Sequence, residues 1–250
     1  MVDIIRYLNV YEFDEILPGT GQMIKLRPYA AADIKRLLLA SDQEEALDTL
    51  IQNCVITSGF NVNDITLPDR LYLLVSLRKK TKGTTYTYTY VCPVCQSQRI
   101  VTVDLKRIKT KPLSSNFSRI VKLDDNISLE LKPVTRGAIK EALKRIDEME
   151  KEKQTDLGEA KTLEQLMLIY ALSIVKFITP EGEHSPTLEE ALDFINNEKL
   201  PRWMFEKITE WFESLDYGID LKIVTECDNK KCNEYKKEVK EDIQLGDFLF

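Results

Sequence analysis

The stretches VCPVC and ECDNKKC place four of the chain's five cysteines in two close pairs, Cys92 with Cys95 and Cys227 with Cys232. A structural zinc ion takes four thiolate or imidazole ligands in a tetrahedron, commonly as two pairs with a few residues between the members of each. Neither pair fills such a site by itself. Together they supply a full set, so Cys92, Cys95, Cys227 and Cys232 are expected to share one structural Zn2+. Each pair also lies between predicted strands, Thr84–Val91 and Arg99–Leu105 in the first case, Ile219–Glu226 and Tyr235–Ile243 in the second. Strand, cysteine turn, strand is the zinc-ribbon knuckle, and the fold must bring two such knuckles together from distant parts of the chain. Plain thiols are the simpler alternative. Disulfides are disfavoured in a reducing cytoplasm, and a redox-active C-x-x-C would place its first cysteine at a helix N-terminus rather than after a strand. Cys54 falls on a helical stripe with Ala46, Leu47, Leu50 and Ile51 and reads as a core filler.

An internal duplication accounts for the wide gap between the pairs. IKLRPYAAADIK (residues 24–35) aligns without a gap with LELKPVTRGAIK (129–140). Leu26, Pro28, Ile34 and Lys35 match Leu131, Pro133, Ile139 and Lys140, and Arg27 matches Lys132. LPDRLYLLVSLRKKTKG resembles LPRWMFEKITEWFESLDYG, and Cys92 and Cys227 follow Gly83 and Gly218 at the same interval. Ordered agreement at several points is the signature of a repeat. The predicted fold is α+β, with duplicated helical units each ending in a β-hairpin cysteine knuckle. Residues 1–112 form the first repeat and 113–250 the second, packed about a pseudo-twofold axis as one zinc-clamped unit. The second copy carries an insertion near TPEGEHSP.

Helix signals support this outline. Ser41 with Glu44 forms a capping box, Pro68 opens a Leu-rich helix that Gly83 stops, and Thr162 with Gln165 caps TLEQLMLIYALSIVKF. Thr187 with Glu190 caps a shorter helix. Pro201 opens an aromatic helix whose stripe of Met204, Phe205, Ile208, Trp211, Phe212 and Leu215 reads as core, with Trp203 off the stripe. TTYTYTYV alternates as a two-faced strand. Arg145–Gly158 is mostly charged and reads as a helix end and loop. The terminal Phe248, Leu249 and Phe250 are costly in water unless docked.

Composition narrows the function. The chain has 250 residues, 43% hydrophobic and 30% charged, with a net charge of −6. That balance argues against broad phosphate binding, which needs clustered positive charge. The basic stretches Arg78–Lys82 and Lys106–Lys111 read as solvated strand ends and turns. No apolar run reaches the length of a membrane span. The start MVDIIRYLNVYEFDE lacks the pattern of a signal peptide, so a cytoplasmic setting is expected. The single histidine, His184, lies in the loop-like PEGEHSP with no nucleophile pattern nearby. Neither a phosphate-binding glycine loop nor a GxSxG or HExxH motif is present, so no enzymatic activity is expected.

The LRPYAAADI start, the LIQNCV helix end, and LPDRLYLLVSLRKKTKG leading to YTYVCPVC together resemble the T4-type bacteriophage baseplate protein family. The likeness covers residues 24–110 well and the remainder loosely. That family includes baseplate hub subunits and hub assembly proteins of contractile-tailed phages. The resemblance implies a non-enzymatic structural or assembly protein whose partners are the phage baseplate hub, tape-measure or tail-tube proteins. Its setting would be the host cytoplasm during assembly or the virion tail baseplate. The alternative is a zinc-ribbon nucleic-acid-binding or transcription-regulating module using the two basic stretches and the tyrosine strand.

Overall fold

Apolar residues recur along the chain at helical and at strand spacing by turns, and the outcome is an α+β fold. The structure is a computed structural model that describes residues 11–153, 160–233, 235–236, 238–242 and 248–249. In chain order the elements begin with β1 (Phe13–Ile16), β2 (Met23–Leu26), α1 (Ala31–Leu39), α2 (Gln43–Cys54), α3 (Leu67–Lys82), β3 (Thr85–Val91) and β4 (Gln98–Asp104). They continue with β5 (Thr110–Lys111), β6 (Ile120–Lys122), β7 (Ser128–Leu131), α4 (Arg136–Lys153) and α5 (Ala160–Ser173). The last are β8 (Ile174–Thr179), β9 (Gly182–His184), α6 (Leu188–Ile195), α7 (Arg202–Glu213), β10 (Gly218–Ile219), β11 (Lys222–Glu226) and β12 (Glu238–Asp242). The named strand pairs are all antiparallel: β1–β2, β3–β4, β5–β10, β11–β12 and a four-stranded sheet in the order β6-β7-β8-β9.

The chain divides into two compact units. The first holds the described residues of Met1–Phe60, Pro68–Pro112 and Gly218–Phe250, and the second those of Asn61–Leu67 and Leu113–Tyr217. Helix α3 is the spine of the first unit, because almost every side chain from Asp69 to Arg78 is buried. Burying charge on such a helix is costly unless each group is paired. Asp69 accepts the Gly19 N–H at 2.7 Å. Arg70 donates to the buried Asp48 carboxylate at 2.6 Å and to Glu44 O at 3.0 Å. Arg78 spends its donors on three carbonyl oxygens, Phe248 O at 2.9 Å, Gly83 O at 2.7 Å and Thr85 O at 3.0 Å. Those contacts seat the chain's end. Phe248 and Leu249 are fully buried, Phe248 meets the Tyr86 ring edge-on at 5.1 Å, and Tyr29 Oη donates to Leu249 O. The apolar tail therefore docks on its own unit, while Phe250 lies outside the described residues.

At the end of α3, Gly83 takes φ +90°, and Gly218 takes φ +103° at the start of β10. A side chain at Gly218 would also strike Pro68 at 2.6 Å, so this position admits only glycine without distortion.

The second unit packs α5–α7 on its four-stranded sheet, and α4 packs on α5 through Ala142, Ile146 and Leu168. Leu129 and Leu131 of β7, Tyr170 of α5, Ile195 of α6 and Ile208 and Trp211 of α7 share one core. Tyr170 stacks on Phe212 at 4.5 Å, and Trp211 Nε1 donates to Ser118 O at 2.8 Å. The aromatic stripe is core as its spacing implies, and Trp203 remains 47% exposed.

Several boundaries differ from the sequence expectation. The cap of α2 is Asp42, whose side chain accepts the Glu45 N–H at 3.0 Å, one residue beyond the expected Ser41–Glu44 box. The Thr187–Glu190 capping box forms as expected. The helix expected to start at Thr162 already includes Ala160. It stops at Ser173, and Ile174–Thr179 becomes β8, because β-branched Ile174 and Ile178 pair with β7 instead of continuing the helix. The TPEGEHSP stretch forms the turn and second strand of the β8–β9 hairpin. The expected strand Ile219–Glu226 breaks into β10 and β11 with different partners. Ile243 and residues 154–159 of the charged stretch lie outside the described residues.

Two stability predictions follow from the first unit. Replacing Asp48 by Ala leaves the buried Arg70 guanidinium with Glu44 alone, whose carboxylate lies 3.1 Å away, and should cost about 1.5–3 kcal/mol in urea unfolding. Asp33, in the first turn of α1, feels burial pushing its carboxyl up. Arg27 at 2.9 Å, the Ala30 N–H at 2.8 Å and Arg36 outweigh that and hold it below the usual carboxylate range. Its stabilisation is complete at neutral pH and is lost as pH falls through the depressed folded value. Asp33→Asn should therefore lower stability at neutral pH and flatten the acid limb of a stability–pH curve.

Candidate metal centre

Each knuckle is made by a strand that runs straight into its first cysteine. In the first, β3 delivers Cys92, and the turn closes through Cys92 N–H to Ser97 O at 3.0 Å and Gln96 N–H to Cys92 O at 2.9 Å. In the second, β11 delivers Cys227, and Lys236 N–H donates to Cys227 O at 2.9 Å. Both closing donors sit in the left-handed region, Gln96 at φ 57° and Lys236 at φ 58°. In each knuckle the first cysteine's carbonyl is thus capped by a residue of the same unusual backbone conformation.

The four sulfurs converge in the first unit, all within 4.8 Å of one another. Cys92 Sγ lies 3.8 Å from Cys232 Sγ, and Cys95 Sγ lies 3.7 Å from Cys227 Sγ. These separations are far beyond a disulfide bond of about 2.05 Å. They fit a tetrahedron instead: with zinc–sulfur bonds of about 2.3 Å its edges measure about 3.8 Å. Cys92, Cys227 and Cys232 are buried and Cys95 is half-buried. Tyr88, Tyr90 and Val101 pack around the cluster. Arg99 Nη1 ties the hairpins together by donating to Glu226 O at 3.1 Å.

The surroundings favour thiolate. The Cys92 thiol is lowered chiefly by the backbone N–H of Cys95, with Val94 N–H and Cys227 assisting against burial. Cys95 is pulled down to about 6, first by the Ser97 hydroxyl 3.1 Å away and then by the Ser97 N–H. Ser97 Oγ also lies 3.6 Å from Cys227 Sγ. Cys54 is the contrast, since burial pushes its thiol up to about 12 and it stays an inert part of the α2 core. Four protein sulfurs fill a tetrahedral ion and leave no open position, which is the donor set of a structural site rather than a catalytic one.

Other sequence candidates fall elsewhere. His184 lies exposed on β9 at 3.2 Å from Glu190 and has no cysteine among its contacts. Arg78 is a buried structural residue, so the Arg78–Lys82 run is not a continuous surface stripe. Tyr86 and Tyr90 face inward, and Tyr88 is half-buried and stacked on Tyr86. A base-stacking platform needs exposed rings, so the strand does not present the surface that a nucleic-acid module would use. Ser97 and the Arg99–Glu226 link were not anticipated. The serine stands two residues after Cys95, and that position was its one sequence signal.

The chain is thus an α+β protein of helices and small antiparallel sheets with a four-cysteine cluster that could hold a metal ion. The family described as T4 bacteriophage base plate protein matches residues 8–249, and the chain belongs to that family. No curated protein and no solved structure matches the chain.

Removal of one sulfur should be decisive. Cys227→Ser is expected to abolish stoichiometric zinc binding and to lower the melting temperature sharply, since a structural site of this kind is worth on the order of 10 kcal/mol. Cys54→Ala should leave zinc content unchanged, as read by atomic emission on the purified proteins.

Proposed function

We propose that the protein is a non-enzymatic structural or assembly component of the baseplate hub or tail of a contractile-tailed phage. Its Cys92, Cys95, Cys227 and Cys232 hold one structural Zn2+. The observation that carries this reading is the convergence of four sulfurs, at tetrahedral spacing, within a chain of the baseplate family. The partners are other baseplate proteins, namely the hub, tape-measure or tail-tube subunits. Helix faces and the strand edges beside the ion supply the contacts. No described helix is long and apolar enough to cross a membrane.

Internal duplication is part of the proposal, and paired features support it. Arg27 N–H donates to the O of Cys54, the last residue of α2, and Lys132 N–H donates to the O of Ser173, the last residue of α5. Gly83 and Gly218 both take positive φ ahead of their cysteines. The sulfur contacts Cys92–Cys232 and Cys95–Cys227 exchange under a twofold rotation that swaps the knuckles. On this reading each repeat, 1–112 and 113–250, contributes one knuckle, and the ion ties the two repeats of the chain together.

The test is co-expression of the full chain with each hub, tape-measure and tail-tube protein of its phage, followed by co-purification and zinc analysis. One zinc per chain and a stable complex with a baseplate protein are expected, with Cys227→Ser losing both. Zinc-free protein, or a complex untouched by chelation and by Cys227→Ser, would refute the clamp. Failure to join any tail protein would refute the assembly role.

A further inference from the structure

The backbone bonds of the β3–β4 hairpin determine which of its polar groups point outward. Leu105 N–H donates to Thr84 O at 2.7 Å, and Cys92 N–H donates to Ser97 O at 3.0 Å. The register between these ends is continuous from Thr85↔Asp104 to Val91↔Gln98, without a bulge. Antiparallel alternation then makes Tyr86↔Val103, Tyr88↔Val101 and Tyr90↔Arg99 the mutually bonded pairs. In β4 the intervening residues Gln98, Ile100, Thr102 and Asp104 turn their N–H and C=O groups away from β3, toward the outer edge. Thr87 Oγ1 and Thr102 Oγ1, 3.2 Å apart, have the close approach of a non-bonded pair.

That edge has no strand beside it among the described residues. The corresponding edge of β3 differs, because Arg78 already occupies Thr85 O. Edge strands are ordinarily protected by lysine, proline or a bulge. The outward residues of β4 have none of these. They are neutral except for Asp104, and Ile100 is 73% exposed.

We infer that the outer edge of β4 pairs antiparallel with the same edge of a second copy of this chain. A twofold axis at Val101 places Ile100 opposite Thr102 of the partner subunit, a favourable cross-strand pair. It also places the Asp104 carboxylate opposite the Gln98 amide at each end, so the two Asp104 side chains never face each other. The edge is self-complementary in hydrogen bonding and charge, as an isologous contact requires. The result is a four-stranded sheet, β3-β4-β4-β3, with a cysteine knuckle at the tip of each hairpin. The inference rests on the β3–β4 ladder alone and stands whether or not the ion is zinc.

The test uses the full-length, metal-replete protein. Light scattering across a concentration series should show the 28.9 kDa chain doubling in mass. Hydrogen exchange should show the Ile100 and Thr102 amides becoming protected in step with that doubling. Thr102→Pro removes an outward N–H without touching a β3–β4 bond, an edge substitution that strands tolerate. It should keep the mass monomeric, and Ile100→Lys should weaken pairing by the same readout if the proline variant fails to fold. A wild-type protein that stays monomeric with unprotected amides overturns the inference. So does a dimer that both variants leave intact, or amide protection that arises only when another baseplate protein is added. Zinc content is measured in parallel, so that loss of the metal centre is told apart from loss of pairing.

Discussion

Four sulfur atoms drawn from two hairpins meet within 4.8 Å, and Cys92 and Cys232 are 140 residues apart in the chain. Nothing else described between β3–β4 and β11–β12 compares with this, beyond the Arg99–Glu226 link. Four sulfurs at such distances could hold a metal ion at their centre. A bound ion would close a very long loop in the folded chain and would hold β11–β12 against a hairpin formed much earlier. β11 and β12 form a two-stranded sheet, and such a sheet by itself is marginal in water.

The first unit meets the cost of its buried charges in a different way. Helix α3 passes through the interior with Asp69, Arg70 and Arg78 on it, and each is matched to a group fixed elsewhere in the same unit. Such pairs contribute little net stability, but a mispaired version is heavily penalised. They therefore enforce one arrangement of β1, α2, α3 and the terminal Phe248–Leu249. The second unit achieves its order with packed aromatic rings on a four-stranded sheet, which is the commoner solution.

Membership in the baseplate family and a closed four-sulfur centre point the same way. Every coordination position would be taken by the protein, so the ion would shape a surface rather than act on a substrate. Next to the first knuckle runs the outer edge of β4, neutral except for Asp104. Polar backbone groups left open along such an edge are where a folded protein adds another strand most readily.

The cysteine pairs, the inward-facing tyrosines' alternation, the aromatic stripe of α7 and the Thr187 cap were legible in the sequence. Each depends on local spacing, and local spacing is set by the fixed geometry of turns, strands and helices. The end of α5 at Ser173, the split of Ile219–Glu226 and the burial of Arg78 were not legible. In each case a distant segment decided the outcome: β7 for Ile174, β5 for Ile219, and the terminal Phe248 for Arg78. Pairing of that sort has no signature in nearby residues, because its energy arises only when chain segments far apart come into contact. The sequence by itself determined which sulfurs were available and how each turn would present them. Only the tertiary structure decided that they meet, since a metal site needs ångström-scale convergence that no one-dimensional spacing encodes.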